Sequence, residues 1–117
     1  MDSILTSIKK LLGISEAYDH FDTDLIMHIN SVFSILNQLG VGPSRGFVIT
    51  GKDETWNQFT EDRTELEQVK SYIYMKVRLL FDPPASSVVM DSINRMIGEF
   101  EWRLNVAAES AETGEEV

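Results

Sequence analysis

Apolar residues recur along most of this chain at alternating steps of three and four, which places them on one side of an α-helix. Ile4, Leu5, Ile8, Leu11 and Leu12 mark a short first helix, with Lys9 and Lys10 in its last turn and Gly13 placed to cap its C-terminus. A second helix is predicted from Asp22 or Thr23. Leu25, Ile29, Val32, Leu36 and Leu39 form its stripe, broadened by Ile26 and Phe33, and Gly40 ends it. Residues 56–59 predict a single helical turn. Asp62, three residues before Glu65, opens a further helix with Leu66, Val69, Ile73, Val77 and Leu80 on its buried face. Asp82-Pro83-Pro84 breaks that helix and starts the last one, because proline lacks the N–H that a first turn leaves unpaired. Val89, Ile93, Met96, Ile97, Phe100 and Leu104 form the final stripe. The pattern is that of an all-α protein, a small bundle of three long helices plus a short N-terminal one.

One segment breaks the helical rhythm. From Gly40 to Trp56 the chain is punctuated by glycines at 40, 42, 46 and 51, and Phe47, Val48, Ile49 and Thr50 between them have the β-branched and aromatic character of a short strand. Nothing else in the chain reads as a strand to pair with it. Its N–H and C=O groups need partners, and an unpaired edge is a natural place for a second copy or another protein to add on. Phe47, Val48, Ile49 and Trp56 are therefore candidate contact residues.

The composition narrows the chemistry. At 117 residues, 43% hydrophobic and 25% charged, the chain has the length and balance of one soluble globular domain. It has no cysteine, which excludes disulfides and thiolate metal sites. No apolar run approaches the roughly 20 residues of a membrane span, and the N-terminus lacks a signal-peptide layout, so a soluble, unexported protein is expected. Net charge is -9, of which Glu109, Glu112, Glu115 and Glu116 supply -4. Nucleic-acid affinity rests on Lys and Arg displacing counterions from phosphate, so such an acidic domain is a poor tight binder of DNA or RNA. Residues 105–117 hold no large apolar side chain after Val106 until Val117, and a disordered acidic tail is expected there, after a helical domain over 1–104.

Three constellations carry possible chemistry. Gly46 to Asp53 nearly matches the phosphate-binding G-x-x-x-x-G-K-[ST], but Asp53 stands where the magnesium-binding hydroxyl belongs and the α/β setting is missing. His20, Asp24 and His28 would align at i, i+4 and i+8 on a continuous helix and could offer metal ligands. Acidic residues also collect at helix starts simply because they complement the dipole, and Asp22 reads as such a start. Lys70, Lys76, Arg78, Arg95 and Arg103 are interleaved with Tyr72, Tyr74 and Trp102, as in a nucleic-acid face or a protein interface. Trp102 falls off the apolar stripe of the last helix, so Trp102 and Arg103 form a second candidate contact region. No nucleophile with its base is evident, and the expectation is a protein without catalytic residues, metal or cofactor.

Ile8-Lys9-Lys10-Leu11-Leu12-Gly13-Ile14, the Asp24-Leu25-Ile26 helix opening, Tyr72-Ile73-Tyr74-Met75-Lys76 leading to Phe81-Asp82-Pro83-Pro84, and the final helix together resemble the head-tail connector, or head-completion adaptor, proteins of siphophages and related prophages. The resemblance covers residues 4–104. It implies a helical protein that forms a homo-oligomeric ring on the portal protein in the virion neck, extends the DNA channel and offers a platform to the next neck or tail-completion protein. It also implies assembly in the host cytoplasm, contact between neighbouring copies, passage of DNA without specific binding, and no membrane. The other readings are a small DNA-packaging or DNA-binding accessory protein using the basic and aromatic residues of the last helices, and a metal- or nucleotide-dependent enzyme using the His20 cluster or Lys52.

Overall fold

The computed structural model describes residues 3–61 and 68–113. Within them the chain is helical: α1 (Ile4–Leu12), α2 (Asp22–Gln38), α3 (Trp56–Thr60), α4 (Val69–Phe81) and α5 (Ser87–Thr113). Local signals explain the boundaries. Ser3 caps α1 by accepting from the Thr6 N–H, and Gly13 closes it in the left-handed region while the Gly13 and Ile14 N–H groups return to the Lys10 and Lys9 carbonyls. α3 is opened by a reciprocal cap in which Thr55 accepts from the Gln58 N–H and Gln58 accepts from the Thr55 N–H. α2 has no side-chain cap, but Asp22 and Asp24 occupy its first turn.

The helices are organised around α4. It packs against α1, α2 and α5, and α1 also packs against α2. Val69, Tyr72, Ile73, Met75 and Val77 are all buried, so α4 is covered on more than the single stripe its sequence suggests. From α1 and α2 the core receives Ile4, Leu5, Ile8, Leu25, Ile29, Val32, Phe33 and Leu36. Each such side chain contributes about 1.5–3 kcal/mol of burial before ordering entropy is set against it. Phe21 meets Phe81 edge-on at 5.2 Å between centroids, joining the start of α2 to the end of α4. α5 lays Ile93, Ile97 and Leu104 inward and meets the end of α2, where the Asn105 amide donates to the Leu39 carbonyl at 3.0 Å.

Several expectations are corrected here. Leu80, Val89 and Met96, expected on buried stripes, are exposed, whereas Tyr72, expected in a nucleic-acid face or protein interface, is completely buried. Tyr72 turns inward because α4 has partners on two sides; Leu80 and Val89 lie close to helix ends, and Met96, between the buried Ile93 and Ile97, falls at the edge of the inward side of α5. α5 does not stop at Leu104: it stays helical to Thr113, with Ala108 nearly buried beside Gly40, so the expected disordered tail from residue 105 is helix for most of its length. The predicted helix start at Asp62 and the predicted core residue Leu66 lie outside the described residues, as do residues 114–117.

Two polar contacts are built into this core. Lys9, one of the two cations in the last turn of α1, is 3% exposed; its ammonium lies 2.8 Å from Asp22 Oδ1 and donates to the Glu16 carbonyl at 3.0 Å. Asp22 Oδ1 takes no aligned hydrogen bond, so the ammonium is what offsets its burial. The Tyr72 hydroxyl donates to Glu101 Oε2 at 2.7 Å, tying α4 to α5. Burial first, then the hydrogen bond and the charge of Glu101, push the Tyr72 phenol well above its ordinary pKa.

Two measurements test this core. Because the folded phenol holds its proton more tightly than the unfolded one, the stability it contributes is complete below about pH 10, the free tyrosine value, and declines as pH rises toward the higher folded value. Urea midpoints of the parent chain should fall on going alkaline more steeply than those of Tyr72→Phe; equal slopes would remove Tyr72 from this role. Gly42 has φ +92, and a Cβ placed there would sit 2.5 Å from Phe59 Cε1. Gly42→Ala should therefore lose about 2–4 kcal/mol by urea titration, combining a left-handed backbone with overpacking.

Candidate functional site

The Gly40–Trp56 loop does not form the expected strand, and no strand occurs among the described residues. The backbone of Ile49 is completed instead by one side chain. Asn30 on α2 accepts from the Ile49 N–H at 2.8 Å and donates to the Ile49 carbonyl at 2.9 Å, so its amide makes the pair of bonds that a neighbouring strand would make. Ile49 is thereby sealed into the core at 1% exposure. Phe47 joins Phe33 and Phe59 in a three-ring cluster with centroids 4.8–5.5 Å apart.

The second half of the loop is held by Glu54. Its carboxylate accepts from the Thr50 hydroxyl at 2.9 Å, the Thr50 N–H at 3.1 Å and the Gly51 N–H at 3.4 Å. Desolvation alone would raise the Glu54 pKa, but the Thr50 hydroxyl and the surrounding N–H groups outweigh it and hold the carboxyl below its ordinary value. The Glu54 carbonyl accepts from the Ile4 N–H at 3.0 Å, beside the isolated antiparallel bridge between Ser3 and Thr55. Trp56 then enters the core, its indole N–H donating to Ser7 Oγ at 3.0 Å and its ring lying under the Lys70 ammonium at 5.9 Å.

These contacts decide what each candidate residue can present. Ile49 and Trp56 are buried within the chain itself and hold the loop down; Phe47 is half-buried; Val48 alone of the four is open, at 62% exposure. Trp102 is 67% exposed on the outer side of α5, next to Arg103, which is ion-paired to Glu99 one turn earlier. The near-match to a phosphate loop is spent on internal bonds: the Ile49, Thr50 and Gly51 N–H groups that would face a phosphate already have partners in Asn30 and Glu54. His20 lies in the turn before α2, edge-on to Phe21 at 4.9 Å, so it does not share a helix with Asp24 and His28. Among the described residues no group of three or more His, Asp and Glu side chains is arranged to hold a metal ion. The basic and aromatic interleaving does not form one face either, since Tyr72 points inward to Glu101 and Arg103 is paired on its own helix.

Sequence reasoning missed Asn30 and Glu54 because a lone amide on a helix and a lone acid in a loop carry no spacing signal. What the chain offers outward is surface: an open loop tip at Val48 and the outer sides of α2 and α5. Among the described residues no helix is long and apolar enough to cross a membrane. A family model described as phage connector protein matches residues 4–111, from the start of α1 to the last turns of α5, and the chain belongs to that family. It is a structural component of the phage neck, at the connection of head and tail. No curated protein and no solved structure matches the chain.

If Asn30 is what replaces the missing strand, Asn30→Ala should leave both backbone groups of Ile49 unpaired in an apolar setting. A loss of about 1–3 kcal/mol is expected, with hydrogen exchange accelerated at the Ile49 amide more than at α4 amides. Exchange at Ile49 that matches the parent chain would show that the amide is not its partner.

Proposed function

We propose that this connector assembles as a homo-oligomeric ring on the portal protein, extends the DNA channel and provides the platform to which a downstream neck or tail-completion protein attaches. The observation that carries the reading is the family match, which spans the whole helical assembly from α1 into the last turns of α5. A ring subunit needs surfaces for its neighbours and for the rings above and below it. Val48 at the loop tip and Trp102 with Arg103 on α5 are the exposed members of the contact set, and Phe47, Ile49 and Trp56 support the loop from within.

The charge agrees with a channel component. A lining that neutralised many phosphates would retain the DNA, whereas a chain of net charge -9 lets it pass. The reading involves no catalytic residue and no cofactor, and it places the protein in the virion neck after assembly in the host cytoplasm.

Electron microscopy of the purified chain mixed with portal rings of the same phage tests the proposal. An additional coaxial ring on the portal is the expected result. Portal rings that gain no density at saturating connector concentration would overturn it.

A further inference from the structure

Two side chains pin the Gly40–Trp56 loop, and only one of them can change its charge. Asn30 holds both backbone groups of Ile49 through a neutral amide, and the Ile49 side chain is sealed in the core. Glu54 holds the turn that follows, taking the Thr50 N–H and hydroxyl on Oε2 and the Gly51 N–H on Oε1. The surroundings of the two pins differ as well. Thr50, Lys52 and Asp53 are exposed, and a Cβ placed on Gly51 would meet nothing within 4 Å. Burial fixes Ile49, whereas the turn after it depends on one carboxylate.

An ionised carboxylate presents two acceptor oxygens; a protonated one presents a single good acceptor and an O–H donor. A proton on Oε1 sets a hydroxyl against the Gly51 N–H, and a proton on Oε2 sets it against both Thr50 donors. In either case a donor loses its acceptor, and the bonds that remain lose the charge that strengthened them. Other charges stand near the turn. Lys52 and Asp53 belong to it, Lys10 of α1 and Glu16 of the following connection line the same groove, and Lys70 of α4 lies over Trp56. α2 brings the neutral Asn30, and α3 carries no charged residue. Desolvation raises the Glu54 pKa, but the Thr50 hydroxyl and the N–H groups of Glu54, Thr50 and Gly51 outweigh it and hold the carboxyl below its ordinary value, with no share from these neighbouring charges.

We propose that the Thr50–Glu54 turn is an acid-sensitive latch: ionised Glu54 closes it, protonated Glu54 lets it open, and Ile49 stays seated on Asn30 in both states. The latch lies within one subunit, so it is independent of ring assembly. Its far end is fixed, because the Glu54 carbonyl is bound by the Ile4 N–H. Opening displaces Lys52 and Asp53, which form one wall of a groove of about 670 Å³ whose other wall is Ser3, Ser7 and Lys10 on α1. The shape of that groove therefore follows the charge of Glu54 while the helices keep their packing. A carboxyl with a lowered folded pKa stabilises the turn fully above pH 4.5, its ordinary value, and ceases to do so as pH falls through the lower folded value.

NMR of the full chain tests the latch in two ways. In the parent chain the Gly51 amide shift should titrate with a midpoint below pH 4.5, and Asp53→Asn should leave that midpoint in place. Glu54→Gln imitates the protonated carboxyl at neutral pH. Solvent exchange of the Thr50 and Gly51 amides should then rise about tenfold, as loss of a charged acceptor requires, with Ile49 exchange and circular dichroism unchanged. A Gly51 midpoint at or above pH 4.5 overturns the proposal, and so does a titration that persists in Glu54→Gln. Exchange at Thr50 and Gly51 equal to the parent chain removes the latch. Acceleration that extends to Ile49 means that the loop opens as one piece, which also overturns it. The parent titration needs no substitution and decides the matter by itself should Glu54→Gln fail to fold.

Discussion

α4 is the helix on which the others depend. It touches α1, α2 and α5, and it does so with only thirteen residues, so nearly every turn must serve two neighbours. A helix in that position cannot have a clean polar side. Tyr72 is the clearest outcome: its ring fills space between elements, and its hydroxyl, which burial would otherwise penalise, finds Glu101 on α5. Met75 is buried on the same helix.

The loop between α2 and α3 shows a different economy. A strand-like segment inside a helical protein would normally be either paired or exposed to unwanted pairing. Here one amide side chain takes the place of the missing strand, and one carboxylate gathers the turn that follows. The edge is thus closed to backbone addition while Val48 stays outside.

Much of this was legible in the residues. Periodicity located α1, α2 and α5, the glycines marked the loop, Pro83 and Pro84 divided the last two helices, and the family resemblance came from the same punctuation. The errors have a common physical origin. Leu80 and Val89 sit on a stripe, but a stripe says nothing about whether a neighbour reaches that far along the helix, and Met96, between the buried Ile93 and Ile97, sits at the edge of its stripe. Residues 105–113 looked like a tail because Ala, Ser and Glu lack bulk; small residues are also what a helix needs where it passes close to another, as Ala108 does beside Gly40. Lys9 and Asn30 were opaque for another reason. Their roles depend on partners far along the chain or around a turn, and a polar residue carries no mark that tells a buried partner from solvent. Trp102 was singled out because it left the stripe, and it is indeed on the outside.

The attachments of α1 carry a consequence for how the chain reaches its fold. Nine residues are too few for a helix to persist alone in water. Its N-terminal end is stitched to the far side of the loop, by the Ile4 N–H to Glu54 and by the Trp56 indole to Ser7, a separation of 49 residues. Closing so long a connection costs entropy before any of these bonds forms. In the folded chain α1 is therefore held at its N-terminal turn by residues some fifty positions away, so a change at Glu54 or Trp56 is felt in a helix that shares no sequence neighbourhood with them.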